Sequence, residues 1–120
     1  MMLSEVTPVP QAALPVADFK DHLRLGTGFA DDGVQDALAE NYLRAAMAAV
    51  EGRTGKALIA RDFRLGLDGW RWTDSQTLPL APVSAVASVT VLDRDGVAEV
   101  VAASRYRLVA DMQRPRIVAA

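Results

Sequence analysis

The chain has 120 residues, 51% of them apolar and 23% charged, with a formal net charge of −2. That length supports one domain with a modest hydrophobic core, and the absence of cysteine excludes disulfides, a thiolate zinc site and a cysteine nucleophile. A slightly acidic balance argues against a nucleic-acid binder working through bulk electrostatics. The sequence shows neither a basic-then-apolar leader nor an apolar run long enough to cross a bilayer, so the expectation is a soluble intracellular protein.

Met1–Leu14 carries Pro8 and Pro10 and almost no charge, and reads as an extended, irregular arm. Residues 15–120 are expected to be a single domain, helical over 15–58 and β-rich over 59–120. Pro15–Leu25 predicts a short helix, because proline suits a first turn and Val16, Phe19 and Leu23 make one apolar stripe. Gly26, Thr27, Gly28 and the polar run to Gly33 connect it to the stretch around which the chain is organised, a long helix over Val34–Leu58. Asp31 and Asp32 are N-cap candidates for that helix.

Along the long helix, Leu38, Tyr42, Ala45 and Ala49 fall on one stripe, and Leu43, Met47 and Val50 with Ala39 and Ala46 line the next. Such an apolar, alanine-rich surface predicts burial between other elements or between subunits. Glu40 and Arg44 form an i,i+4 pair expected on the exposed remainder. Gly52 and Gly55 offer a left-handed C-cap, with Leu58 folding back as its hydrophobic partner.

The period then changes to 2. Ile59, Arg61, Phe63, Leu65 and Leu67 alternate with Ala60, Asp62, Arg64, Gly66 and Asp68, which predicts a strand. Asp68-Gly69 signals a turn into Trp70-Arg71-Trp72, with both indoles expected on one side. Leu78–Pro82 is extended and proline-punctuated, suited to an edge or linker. Val83–Leu92 predicts a strand, Asp93–Gly96 a hairpin loop, and Val97–Val101 its antiparallel return. Arg105–Val109 and Arg116–Val118 predict a second hairpin across Asp111–Pro115. Helices first and strands afterwards make an α+β fold with a small, mainly antiparallel β region. The chain stops at Ala120 within an apolar run, and the expectation is that a C-terminal segment follows in the native protein.

Motifs for chemistry are weak. His22 is the single histidine, which removes any multi-histidine metal site, and a contact with Asp18 lacks the nucleophile a catalytic pair needs. Asp32, Asp36 and Glu40 form an acidic row that suits a divalent cation or acid–base carboxylates, or simply a capped helix start. Gly52-Arg53-Thr54-Gly55-Lys56 has the wrong spacing and flanking elements for a phosphate loop. Trp70 and Trp72 around Arg71 can stack bases, yet Asp68 and Asp74 flank them, and a core or subunit contact fits better. No cofactor is implied.

The serial pattern is more telling. Lys20-Asp21-His22-Leu23-Arg24-Leu25, then Asp31-Asp32, then the alanine-rich helix closing in Glu51-Gly52-Arg53-Thr54-Gly55-Lys56-Ala57-Leu58, resembles the head–tail connector family of tailed phages, which also occurs in phage-derived gene transfer agents. Phe63 and Trp70, Leu78–Val83, Val86–Val89, Asp93–Gly96, Tyr106 and Pro115-Arg116-Ile117 continue the likeness over residues 15–118. The resemblance implies a non-enzymatic adaptor: a ring, commonly dodecameric, clamped beneath the portal protein. It extends the DNA channel, which DNA passes without specific binding, and docks a head–tail stopper or tail-terminator protein. The expected location is the particle neck, with assembly in the host cytoplasm and no membrane. Leu38, Tyr42, Ala45 and Ala49 are the expected contacts between subunits, and Trp70, Trp72, Asp93 and Asp95 the expected contacts with a partner ring. The competing reading is a small nucleic-acid-binding or packaging accessory that uses the Trp70-Arg71-Trp72 segment; a third is a metal enzyme built on the Asp32, Asp36 and Glu40 row.

Overall fold

A computed structural model describes residues 1–23 and 33–120. The order is β1 (Met2–Glu5), α1 (Val16–His22), α2 (Gly33–Thr54), β2 (Phe63–Gly66), β3 (Ser75–Thr77), β4 (Thr90–Leu92), β5 (Ala98–Val100), β6 (Tyr106–Val109) and β7 (Arg116–Ala119). This is the expected α+β plan. The chain divides into two compact units, Ser4–Arg64 and Met1–Leu3 with Leu65–Ala120.

The helical unit is built on α1 and α2, which pack together and are tied by an ion pair from Lys20 to Asp36. Leu23, expected in the stripe of α1, is instead its exposed C-cap, with Val16 and Phe19 half-buried. Arg24, Leu25, the Gly26-Thr27-Gly28 connection and the Asp31 and Asp32 caps lie outside the described residues. Residues 1–14 are more structured than an irregular arm: β1 pairs with β2, a single 3-10 turn covers Gln11–Ala13, and Val9 and Leu14 are buried. Pro8 and Pro10 hold the backbone extended on either side of Val9, which is how so short a segment places one side chain in the core.

Helix α2 ends four residues earlier than its pattern predicts. Gly55 adopts φ +66°, and its N–H donates to Glu51 O at 2.9 Å, the left-handed cap that glycine permits. Leu58 does not cap it hydrophobically, since its side chain is exposed; its backbone N–H donates to Glu51 Oε2 at 2.8 Å instead. From Ile59 to Leu67 burial alternates as the period-2 pattern requires, although only Phe63–Gly66 are hydrogen-bonded as a strand.

The β unit holds a three-stranded antiparallel sheet, order β3-β7-β6, with Tyr106 opposite Ala119 and Gln76 opposite Ile117. The β6–β7 hairpin is the predicted one, its turn held by Asp111, whose carboxylate accepts from Gln113 N and Arg114 N. The long strand predicted over Val83–Leu92 is reduced to β4. Val83–Ser88 lack a regular ladder and follow a cis Ala81–Pro82 bond. Strands β4 and β5 form a separate hairpin, Thr90 opposite Val100 and Leu92 opposite Ala98. Its loop closes through Asp93 N to Val97 O and Gly96 N to Asp93 O, with Gly96 at φ +80°.

Candidate assembly interface

The site begins with an inversion in α2. Every charged residue that the helix carries from Asp36 to Glu51 (Asp36, Glu40, Arg44, Glu51) is half-buried, whereas the exposed positions from Ala37 to Gly52 carry no charge at all. Those exposed positions include Ala37, Leu38, Tyr42, Ala45, Ala49 and Val50; Leu38 is 52% exposed and Tyr42 58%. A solvent-facing helix surface normally bears the charges and a core-facing one the apolar residues. Here the apolar arc is uncovered.

The charges turn inward because each finds a partner there. Arg44 donates through Nε and Nη2 to Glu40 Oε1, at 3.0 and 2.9 Å. This predicted pair forms on the covered side of the helix, not on its exposed remainder. Glu51 receives Arg61 in a two-point contact, Nη2 to Oε1 at 2.6 Å and Nη1 to Oε2 at 3.0 Å. Those bonds hold the Glu51 carboxyl below the usual range, helped by Leu58 N–H, and the same bonds raise the Arg61 pKa, so the guanidinium stays charged. Arg61 also lies 4.8 Å above the Phe63 ring and 3.2 Å from the Glu5 carboxylate through Nε. The Glu51…Thr54-Gly55…Leu58 spacing therefore has a physical content that sequence reasoning missed. Glu51 binds the exit strand, Thr54 Oγ1 accepts Lys56 N–H, and Gly55 supplies the positive φ. Arg61 on an otherwise apolar alternation was the available signal.

The described part of the acidic row is engaged in ion pairs. Asp36 is taken by Lys20 and Glu40 by Arg44, Asp32 lies outside the described residues, and among those residues no group of three ligands converges. His22 is exposed on the last turn of α1. Among the described residues no helix is long and apolar enough to cross a membrane.

In the β unit, Trp70-Arg71-Trp72 is a bent loop rather than a strand, so the alternation that was to put both indoles on one face does not apply. Gln76, a buried polar residue on β3, fixes the loop: its Oε1 accepts Arg71 N–H at 2.8 Å, and its Nε2 donates to Thr77 O at 2.9 Å. Trp72 remains 59% exposed with the Arg71 guanidinium 6.0 Å from its ring. The short polar string Ser75-Gln76-Thr77 offered no strand signal. Asp93 and Asp95 stand at the tip of the β4–β5 hairpin, where Asp93 Oδ1 caps Asp95 N and Val97 N. Leu38, Tyr42, Ala45 and Ala49 thus lie together on one exposed helix face, while Trp70 and Trp72 occupy one loop and Asp93 and Asp95 another.

Comparison with known proteins gives these surfaces a context. A chain in the neck of an empty gene transfer agent particle, computed with C6 symmetry, is 63% identical over 99% of this chain, with a TM-score of 0.90. The chain is thus similar over nearly its whole length to a chain of a gene transfer agent neck. A native neck computed with C12 symmetry holds a chain 54% identical over 100% of this one, TM-score 0.80. A native gene transfer agent virion holds one that is 64% identical over 99%, TM-score 0.86. This chain covers 60%, 59% and 61% of those three chains respectively, so it spans about three-fifths of their length. No protein-family profile and no curated protein matches the sequence.

Proposed function

We propose that this protein is a structural head–tail adaptor: a homo-oligomeric ring, twelve-fold, seated beneath the portal, extending the DNA channel and docking a stopper or tail-terminator protein. The observation that carries the reading is the 54–64% identity with chains of gene transfer agent neck and virion structures, two of them computed with cyclic symmetry. The exposed, uncharged face of α2 supports it, because a closed ring needs each copy to present apolar surface to its neighbours. The reading assigns Leu38, Tyr42, Ala45 and Ala49 to contacts between copies. It assigns Trp70 and Trp72 to contacts with a partner ring, and Asp93 and Asp95 to the contact surfaces as well.

No step of this role is catalytic. The work is to present matched surfaces, and to line a passage with few cations so that DNA phosphates slide rather than bind. The test is deletion of the coding sequence in the producing organism followed by electron microscopy. Filled heads separated from finished tails, rejoined on complementation, are the expected result. Normally joined particles in the deletion strain would overturn the reading.

A further inference from the structure

We propose that, in the assembled neck, the β4–β5 hairpin of each copy packs on the uncharged face of helix α2 of the adjacent copy. The inference rests on the ring reading above and names the two surfaces that close the ring.

The hairpin is unusual in how little covers it. All six residues of β4 and β5 are exposed, and Val91, Leu92, Val97 and Val100 are each between 55% and 69% exposed. A two-stranded ribbon of this length is marginal by itself, and of these side chains Leu92 and Val100 are apolar area on one face that association removes from water. The register divides the ribbon into two unlike faces. Thr90, Leu92, Ala98 and Val100 share one face, and it carries no charge; Val91 shares the other with Glu99. The first is therefore the docking face and the second the rim.

A cyclic ring sets the nature of the occupant. Each copy has two neighbours and meets them through two different patches, one complementary to the other. The chain offers such a pair on its two separate units: the charge-free ribbon face and the charge-free arc of α2 bearing Leu38, Tyr42 and Val50. The paired part of the ribbon is about 10 Å long, and the charge-free arc of α2 runs for about 24 Å, so the helix accommodates the ribbon. Charge sets the direction. Asp93 and Asp95 stand at the ribbon tip with Arg94 between them, which leaves the tip net negative, and Arg53 is the first exposed charge on α2, in its last turn. The tip therefore points toward the C-terminal end of the neighbour's helix, which brings Leu92 near Ala49 and Val100 near Ala45.

The chain has no cysteine, so engineered ones report alone. Particles are prepared with Val100→Cys/Ala45→Cys, with Leu92→Cys/Ala49→Cys, and with each single variant, then oxidised and run without reductant. A ladder of covalent multimers from the double variants, absent from the singles, is the expected result. Monomers only, in particles that contain the protein at its normal copy number, overturn the hairpin–helix contact and leave the ring intact. Absence of the wild-type protein from particles overturns the ring reading itself and this inference with it. A charge substitution gives an independent readout: Val100→Asp is expected to lower incorporation more than about tenfold, because it places a carboxylate in a dry contact, while Val91→Asp on the rim incorporates normally. The reverse order of effects overturns the assignment of faces.

Discussion

Arg61 and Glu51 are joined by two hydrogen bonds, at 2.6 and 3.0 Å, between side chains that are only 7% and 10% exposed. The contact ties the last turns of α2 to the segment entering β2, and Glu51 simultaneously accepts Leu58 N–H. It therefore fixes the direction in which the chain leaves the helix.

Removing one partner strands the other. Arg61→Met is expected to destabilise the protein by about 3 kcal/mol, since a carboxylate is left without its cation in a covered site. The double variant Glu51→Leu/Arg61→Met recovers part of that loss, because the covered Glu51 carboxylate is gone and the Glu5 carboxylate left behind, 38% exposed, is solvated. Urea titration of the three variants checks this through the midpoint at constant slope. A double variant at least as unstable as Arg61→Met would contradict it.

The same pair makes stability depend on acid. The folded state holds the Glu51 pKa down, chiefly through the Arg61 hydrogen bonds, so the unfolded chain binds its proton at higher pH than the folded one. The contribution is complete above the ordinary glutamate pKa of about 4.3 and is lost as pH falls from there through the depressed folded value. Wild type is expected to lose more stability than Glu51→Gln between pH 6 and pH 3. Parallel curves would remove Glu51 as the cause.

Gln76 positions the tryptophan loop, and the two tryptophans of the chain are both in that loop. Gln76→Leu leaves Arg71 N–H without its side-chain acceptor, a cost of about 1 kcal/mol for a part-buried hydrogen bond. Increased iodide quenching of tryptophan fluorescence is the expected outcome, with far-UV circular dichroism unchanged. Unaltered quenching would mean that the loop is held by something else.

The exposed face of α2 is expected to tolerate charge in the free chain and reject it in the ring. Tyr42→Glu should leave thermal unfolding within about 0.5 kcal/mol of wild type, as for surface substitutions in general, yet abolish incorporation into particles. Incorporation at the wild-type level would exclude Tyr42 from the contact between copies.

How much of this was legible in the sequence follows from the range of each interaction. The β4–β5 hairpin is set by local chemistry, Asp93 capping its own turn and Gly96 taking positive φ, and Asp111 does the same for β6–β7. The alternation from Ile59 to Leu67 also reads directly as burial. The end of α2 was misplaced because a carboxylate seven residues back, not a hydrophobic contact, captures Leu58 N–H. Strand β3 left no trace, since its partner is β7, some forty residues on, and its buried residue is a glutamine. The face of α2 was read as apolar but not as inverted. That required knowing where Glu40, Arg44 and Glu51 find their partners, and Arg61 lies outside the helix.

The central claim is that this chain is a fixed-copy component of a particle neck. Its most direct test is quantitative mass spectrometry of purified particles from the producing organism, measured against the major capsid protein. The account predicts a low, constant stoichiometry equal to that of the portal, at about twelve copies per particle if the ring follows cyclic closure of the kind computed for its relatives. Absence from intact, DNA-filled particles, or a copy number that varies with expression level, would contradict it.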